Sequence, residues 1–204
     1  MATTTFSAKD VQVLRQRTGA GMMDCKKALE ETGGDVEKAV ELLRKKGIAK
    51  AEKRSGRTAS EGMVASYLHH DGKLGVLVEV NCETDFVARG EMFRDLVRSI
   101  AEHIAAGVPQ PPMAITRDQV SAEVVERERR ILTEQAQASG KPANVIEKMI
   151  EGRVDKFFKE VALLDQPWVR DDAKTIGDLV KETAAKTGEN IVVRRFARFK
   201  IGEE

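Results

Sequence analysis

The feature that most constrains the fold is the stretch "GMVASYLHHDGKLGVLVEVNCET". It holds two β-rich runs on either side of Asp71-Gly72, a pair suited to a tight type I′ turn, and so predicts a β-hairpin. Leu74, Val76, Val78 and Val80 share one face of the second run, and Leu77 lies opposite with Glu79. The chain then changes period. In "VLVEVNCETDFVARGEMFRDL" a strand gives way to a helix, with Met92, Phe93, Leu96, Val97 and Ile100 at helical spacing. Asp85 and Phe86 sit side by side at the junction.

The first fifty residues predict three short helices. Ser7 or Asp10 can cap the first, "TGAG" forms a turn, and the second helix runs from about Met22 to a stop at Gly33-Gly34. Asp35 caps the third, which closes at Gly47. The basic run "RKKGIAKAEKRSGR" has no apolar face wide enough to pack and reads as a solvated linker helix. Beyond the hairpin and its helix, "AAGVPQPPMA" is a Pro-rich loop. Charged helices follow through "VVERERRILTEQAQ", "PANVIEKMIEG" and "VDKFFKEVALL". Pro142 suits a first turn and Pro167 a stop. Thr175 and Asp178 pair as a cap for a last helix ending at Gly188, and "NIVVRRFARFKI" is a closing strand. The expected architecture is α+β: a helical module over 1–50, a basic linker over 51–60, and a core over 61–204 with a small three-stranded antiparallel sheet packed with helices.

Composition narrows the function. Of 204 residues a third are charged, yet the net charge is only +1, which gives no overall field for nucleic acid or an anionic membrane. Aromatics, at 4%, supply little base stacking. "MATTTFSAKDVQ" has no apolar core of signal-peptide length, no run reaches membrane-spanning length, and two distant cysteines fit a reduced compartment. The expectation is a soluble cytoplasmic protein. The phosphate-loop pattern is missing, and "TGAG" follows a helix rather than a strand. Adjacent His69 and His70 on a strand point to opposite faces, against a shared metal. His103 is expected on a helix surface or core edge. Neither Cys25 nor Cys82 has an activating neighbour in sequence. No enzyme chemistry, metal or cofactor is expected, and the chain should act by binding.

Four stretches resemble one family. "LRQRTGAGMMDCKKAL" and "VEVNCETDFVAR" resemble the two signatures of the bacterial elongation factor Ts family. "KPANVIEKMIEGRVDKFFKEVALLDQPWVRDD" and "ENIVVRRFARFKIGE" follow in family order. The length is similar to that of the short form, without a duplicated core. The resemblance implies a ubiquitin-associated-like (UBA-like) fold for the N-terminal module. It also implies a guanine-nucleotide exchange factor for elongation factor Tu in its GDP-bound state, with no nucleotide site of its own. Thr84, Asp85, Phe86 and Val87 match the segment that enters the GTPase beside its Mg²⁺ site. Arg15, Met22 and Met23 map to the surface that meets the nucleotide domain.

Two readings of Phe86 stay open on the residues alone. It is either an outward ring that wedges into a partner, or the first core residue of the helix with Asp85 as its cap. Met22 and Met23 cannot both face one small core, so at least one is expected to be exposed. A general adaptor is the main rival function, and nucleic-acid binding through the linker and "RRFARFK" the third. In the closing strand Ile191, Val193, Ala197, Phe199 and Ile201 share a face interrupted by Arg195, with Val192 and Phe196 opposite. A sheet with helices on one side leaves a half-apolar face, from which a symmetric non-covalent homodimer is expected.

Overall fold

The computed structural model describes residues 6–137 and 142–203. Residues 1–5 of the expected module, and 138–141 and 204 of the expected core, lie outside the described residues. The helices are α1 (Ala8–Thr18), α2 (Met22–Glu31), α3 (Val36–Glu52), α4 (Asp85–Arg89), α5 (Glu91–Ala106), α6 (Ala122–Gln137), α7 (Ala143–Val161) and α8 (Ile176–Thr187). The strands are β1 (Glu61–Leu68), β2 (Leu74–Cys82), β3 (Pro167–Trp168), β4 (Asp171–Thr175) and β5 (Val192–Lys200). The fold is α+β, with a three-stranded antiparallel sheet in the order β1-β2-β5.

The chain folds into two compact units that interleave along the sequence. One comprises 1–62, 81–93 and 180–192, and the other 63–80, 94–179 and 193–204. In the first, Ser7 and Asp10 form a reciprocal capping box at α1, and Asp35 accepts the Lys38 N–H to start α3. Gly19 takes φ 68° after α1, a conformation that a side chain would strain. Val11, Leu14, Cys25, Ala28, Leu29, Ala39 and Leu43 make the small core of these three helices.

Gly47 does not close α3, which continues to Glu52. A Cβ on Gly47 would stand 3.1 Å from the Ala185 Cβ, so the glycine serves a close approach to α8 rather than a stop. The basic stretch therefore begins inside the helix, with Ala51 buried.

In the second unit the hairpin turn differs from the expected type. Gly72 has φ 69° and no other residue type has positive φ among the described residues, so Asp71 cannot meet the I′ requirement. Instead His69 O accepts from Gly72 N at 2.8 Å, and His69 N donates to Leu74 O. The two histidines follow β1, in this turn, and their rings are together, with centroids 4.2 Å apart, not on opposite faces of a strand. Among the described residues, no group of three or more His, Cys, Asp or Glu is placed to hold a metal.

Val76, Val78 and Val80 are buried and Leu77 is exposed, as alternation requires. In β5 the expected single face breaks. Val193 is buried, Arg194 and Arg195 are exposed in succession, and Phe199 and Ile201 point to solvent. Alternation slips at the arginines, where Arg195 pairs with Glu79 at 2.6 Å.

Helix α5 buries Leu96, Val97, Ile100 and Ile104. His103, expected on a helix surface or core edge, is fully buried, because Gln166 and the Val169 N–H satisfy its ring nitrogens. Helix α7 runs unbroken through Gly152, with Pro142 one residue ahead of it as the N-cap. After it, β3 and β4 form a two-stranded antiparallel sheet that periodicity did not reveal. Thr175 and Asp178 cap α8 reciprocally, and Gly188 ends it at φ 77°.

Candidate functional site

Strand β2 ends at Cys82, and the chain passes through Glu83 and Thr84 into α4. Thr84, not Asp85, is the N-cap. It holds φ −128° and ψ 153°, and its hydroxyl oxygen accepts the Val87 N–H. Threonine suits the position because an extended backbone brings its short side-chain oxygen over the open N–H groups of the first turn. Asp85 is thereby the first helical residue, and its carboxylate pairs with Arg89 one turn on at 3.1 Å. Both partners are largely solvated, so this pair contributes little to stability.

Phe86 is 83% exposed. That decides against the core reading: the ring stands in solvent on a five-residue helix with no buried residue. Gly90 stops the helix with φ −67° and ψ 143°, and its N–H donates to Val87 O at 2.9 Å. A Cβ there would come within 3.2 Å of that same oxygen, so the tight exit favours glycine.

The turn is pinned by a residue that sequence reasoning missed. The Glu189 carboxylate accepts from Glu83 N at 3.0 Å, Thr84 N at 3.1 Å and Thr84 Oγ1 at 2.6 Å. In return the Glu83 carboxylate accepts from Asn190 N at 2.6 Å. The Asn190 amide donates to Ser55 O and Arg57 O, which ties in the segment after α3. No local pattern signals a partner this far along the chain. The one hint is a carboxylate directly after the helix stop at Gly188.

Cys82 lies beneath the turn, and its thiol donates to Thr84 O at 3.2 Å. Burial raises its pKa, and the nearby Glu189 charge adds to the rise. The thiol therefore stays protonated at neutral pH and is a poor nucleophile.

A groove of about 650 Å³ opens beside Phe86. Asp85, Arg89 and Lys186 stand among Val87, Met92 and Phe93 along it. Met92, expected in the core of α5, is instead 47% exposed on this groove, since it falls off the buried stripe that starts at Phe93. The N-terminal helices belong to the same compact unit, and a Cβ on Gly19 would reach within 3.8 Å of the Lys186 side chain.

Met22 and Met23 are 47% and 63% exposed, and Arg15 is exposed. All seven residues singled out in sequence thus fall in one compact unit, though they come from segments sixty residues apart. The arrangement offers a protruding ring, an apolar groove and charged rim groups. These features suit the binding of a partner surface.

Among the described residues, no helix is long and apolar enough to cross a membrane. The family model described as Elongation factor TS matches residues 7–203. The chain is 56% identical over 199 residues to Elongation factor Ts of Geobacter metallireducens, covering 98% of this chain and 91% of that protein. It is 57% identical over 198 residues to Elongation factor Ts of Caldanaerobacter subterraneus subsp. tengcongensis, covering 97% and 98%. The same name belongs to a protein of Syntrophobacter fumaroxidans, 55% identical over 202 residues, with 99% and 100% covered. Matches of this extent leave one assignment: the chain belongs to the elongation factor Ts family of translation elongation factors.

Proposed function

We propose that the chain is a guanine-nucleotide exchange factor that binds GDP-bound elongation factor Tu in the cytoplasm and speeds GDP release, itself performing no bond-making step. The observation that carries this reading is the 83% exposed Phe86 on a turn clamped at both ends. A large ring held in water is unfavourable on its own, and a partner slot recovers that cost. Phe86 enters between two helices of the GTPase, with Thr84 and Asp85 at its polar edge and Val87 behind it. Moving those helices displaces Mg²⁺, whose two positive charges bridge protein and phosphates and supply much of the nucleotide affinity. Arg15, Met22 and Met23, in the module over 1–50, hold the nucleotide domain.

Linkage fixes the thermodynamics. If the factor weakens GDP binding by some ratio, GDP weakens binding of the factor by the same ratio. The chain thus speeds exchange in both directions, and the cell's nucleotide pool sets the net flow.

Val64, Leu68, Leu77, Phe199 and Ile201 are all exposed on the three sheet strands and the residue after β5. An apolar array of this kind supports the reading that two copies pair through the sheet as a non-covalent homodimer. The test of the main reading is release of fluorescent GDP from elongation factor Tu with and without this chain. Acceleration at substoichiometric amounts is expected, and an unchanged rate overturns the reading.

A further inference from the structure

We propose that Glu189 is a positioning residue for the Phe86 wedge, an inference that rests on the exchange reading above. Three donors from two consecutive residues converge on this one carboxylate: Glu83 N–H, Thr84 N–H and Thr84 Oγ1–H. Hydrogen bonds to a charged acceptor are stronger than neutral ones, and three on one group fix both translation and rotation of the backbone they hold. The Thr84 hydroxyl has a double duty. It donates its proton to Glu189 while its oxygen accepts the Val87 N–H. Glu189 therefore sets the hydroxyl rotor, which sets the cap, which sets the direction of the first turn of α4 and hence of Phe86.

The clasp is reciprocal. Glu83 returns a carboxylate to Asn190 N at 2.6 Å, so each of the two segments presents an acid to the backbone of the other. Arg57 lies 3.5 Å from the Glu83 carboxylate and offsets part of the negative charge gathered here. Phe86, at 83% exposed, has little packing of its own to orient it. Its aim comes from the backbone below it. In exchange, a wedge that enters a slot loses rate when its entry angle is loose, because ordering must then be done at the moment of displacement.

Glu189→Ala removes all three acceptor contacts, while Glu189→Gln keeps an amide oxygen for the two backbone N–H groups. Two measurements separate positioning from bulk stability. The first is GDP release from elongation factor Tu across factor concentration, with Phe86→Ala run in parallel. The second is amide hydrogen exchange at Thr84 and Val87 in the free, full-length protein. Glu189→Ala should lower the maximal release rate tenfold or more, with the half-saturating concentration moved less than threefold. Its Thr84 and Val87 amides should exchange faster while those of α2 and α5 do not. Glu189→Gln, which keeps the two backbone contacts but turns its NH2 toward the Thr84 hydroxyl, should recover part of both effects.

A folded Glu189→Ala protein with the parent's maximal rate and unchanged amide protection overturns the proposal. So does a loss that Glu189→Gln fails to recover, or faster exchange spread evenly over the chain. Should the parent itself fail to speed GDP release, the exchange reading falls. The amide measurement then still decides whether Glu189 holds the turn.

Discussion

His103 and Gln166 are both fully buried and are joined by a 2.9 Å hydrogen bond between the imidazole Nε2 and the amide oxygen. The Gln166 amide nitrogen donates to Gln110 O and Glu160 O, so its oxygen must face the ring. His103 Nε2 is then the donor, and Nδ1 accepts from Val169 N at 3.3 Å. The pattern requires the neutral imidazole.

Burial lowers the His103 pKa below its ordinary 6.5, against a smaller upward pull from Gln166. The unfolded chain therefore takes up this proton first as pH falls. The contribution to stability is complete above about pH 6.5 and is lost as pH drops from there through the lower folded value. Urea midpoints at pH 7.5 and 5.5 should show the fall, and His103→Gln should flatten it over that window. A variant with the parent's pH slope refutes the assignment.

Phe86→Ala should leave the fold intact, with stability changed by less than about 0.5 kcal/mol, as for other exposed positions. Exchange activity should fall by about 1–3 kcal/mol of coupling, roughly 5- to 150-fold. Thermal melting alongside fluorescent-GDP release checks both halves. Parent-like acceleration by the mutant counts against the wedge.

Gly47→Val should destabilise the protein by about 1–3 kcal/mol, since added methyl groups meet a contact that is already 3.1 Å from a bare Cβ. Helix propensity alone predicts the opposite sign, because glycine is the weaker helix former. A chemical denaturation midpoint distinguishes them.

Isolated chain should bind neither GDP nor GTP. Calorimetric titration is the check, and a micromolar heat signal would reverse the expectation drawn from the missing phosphate loop.

Light scattering at micromolar concentration should report twice the chain mass. Phe199→Asp should shift it towards the monomer, because Phe199 is 69% exposed whereas Phe196 is half-buried. A parent that scatters as a monomer removes the dimer from the account.

What could be read from sequence was local. Capping at Thr175 and Asp178, the glycine stops at Gly33-Gly34 and Gly188, and the valine alternation in β2 depend on neighbours within a few residues. Thr84 was placed in the right segment but its capping role went to Asp85, since both residue types cap well and only backbone geometry chooses between them. Gly47 was misread because glycine means either a stop or a close approach, and the approaching Ala185 is far away in sequence. The full burial of His103 and the clasp by Glu189 are not legible in sequence for one reason: their partners come from distant segments, and a lone polar residue carries no mark of satisfaction.

The clasp on Thr84 has a consequence for synthesis. Its carboxylate arrives 105 residues after the turn it holds. At about 5–20 residues per second, the ribosome delivers it roughly 5–20 s later. Through that interval the nascent chain carries Thr84–Val87 without the carboxylate that holds Thr84, and β2 waits for β5, its neighbour in the sheet. If the proposed clasp aims the wedge, a product cut short before Glu189 should not speed GDP release or compete with the finished chain.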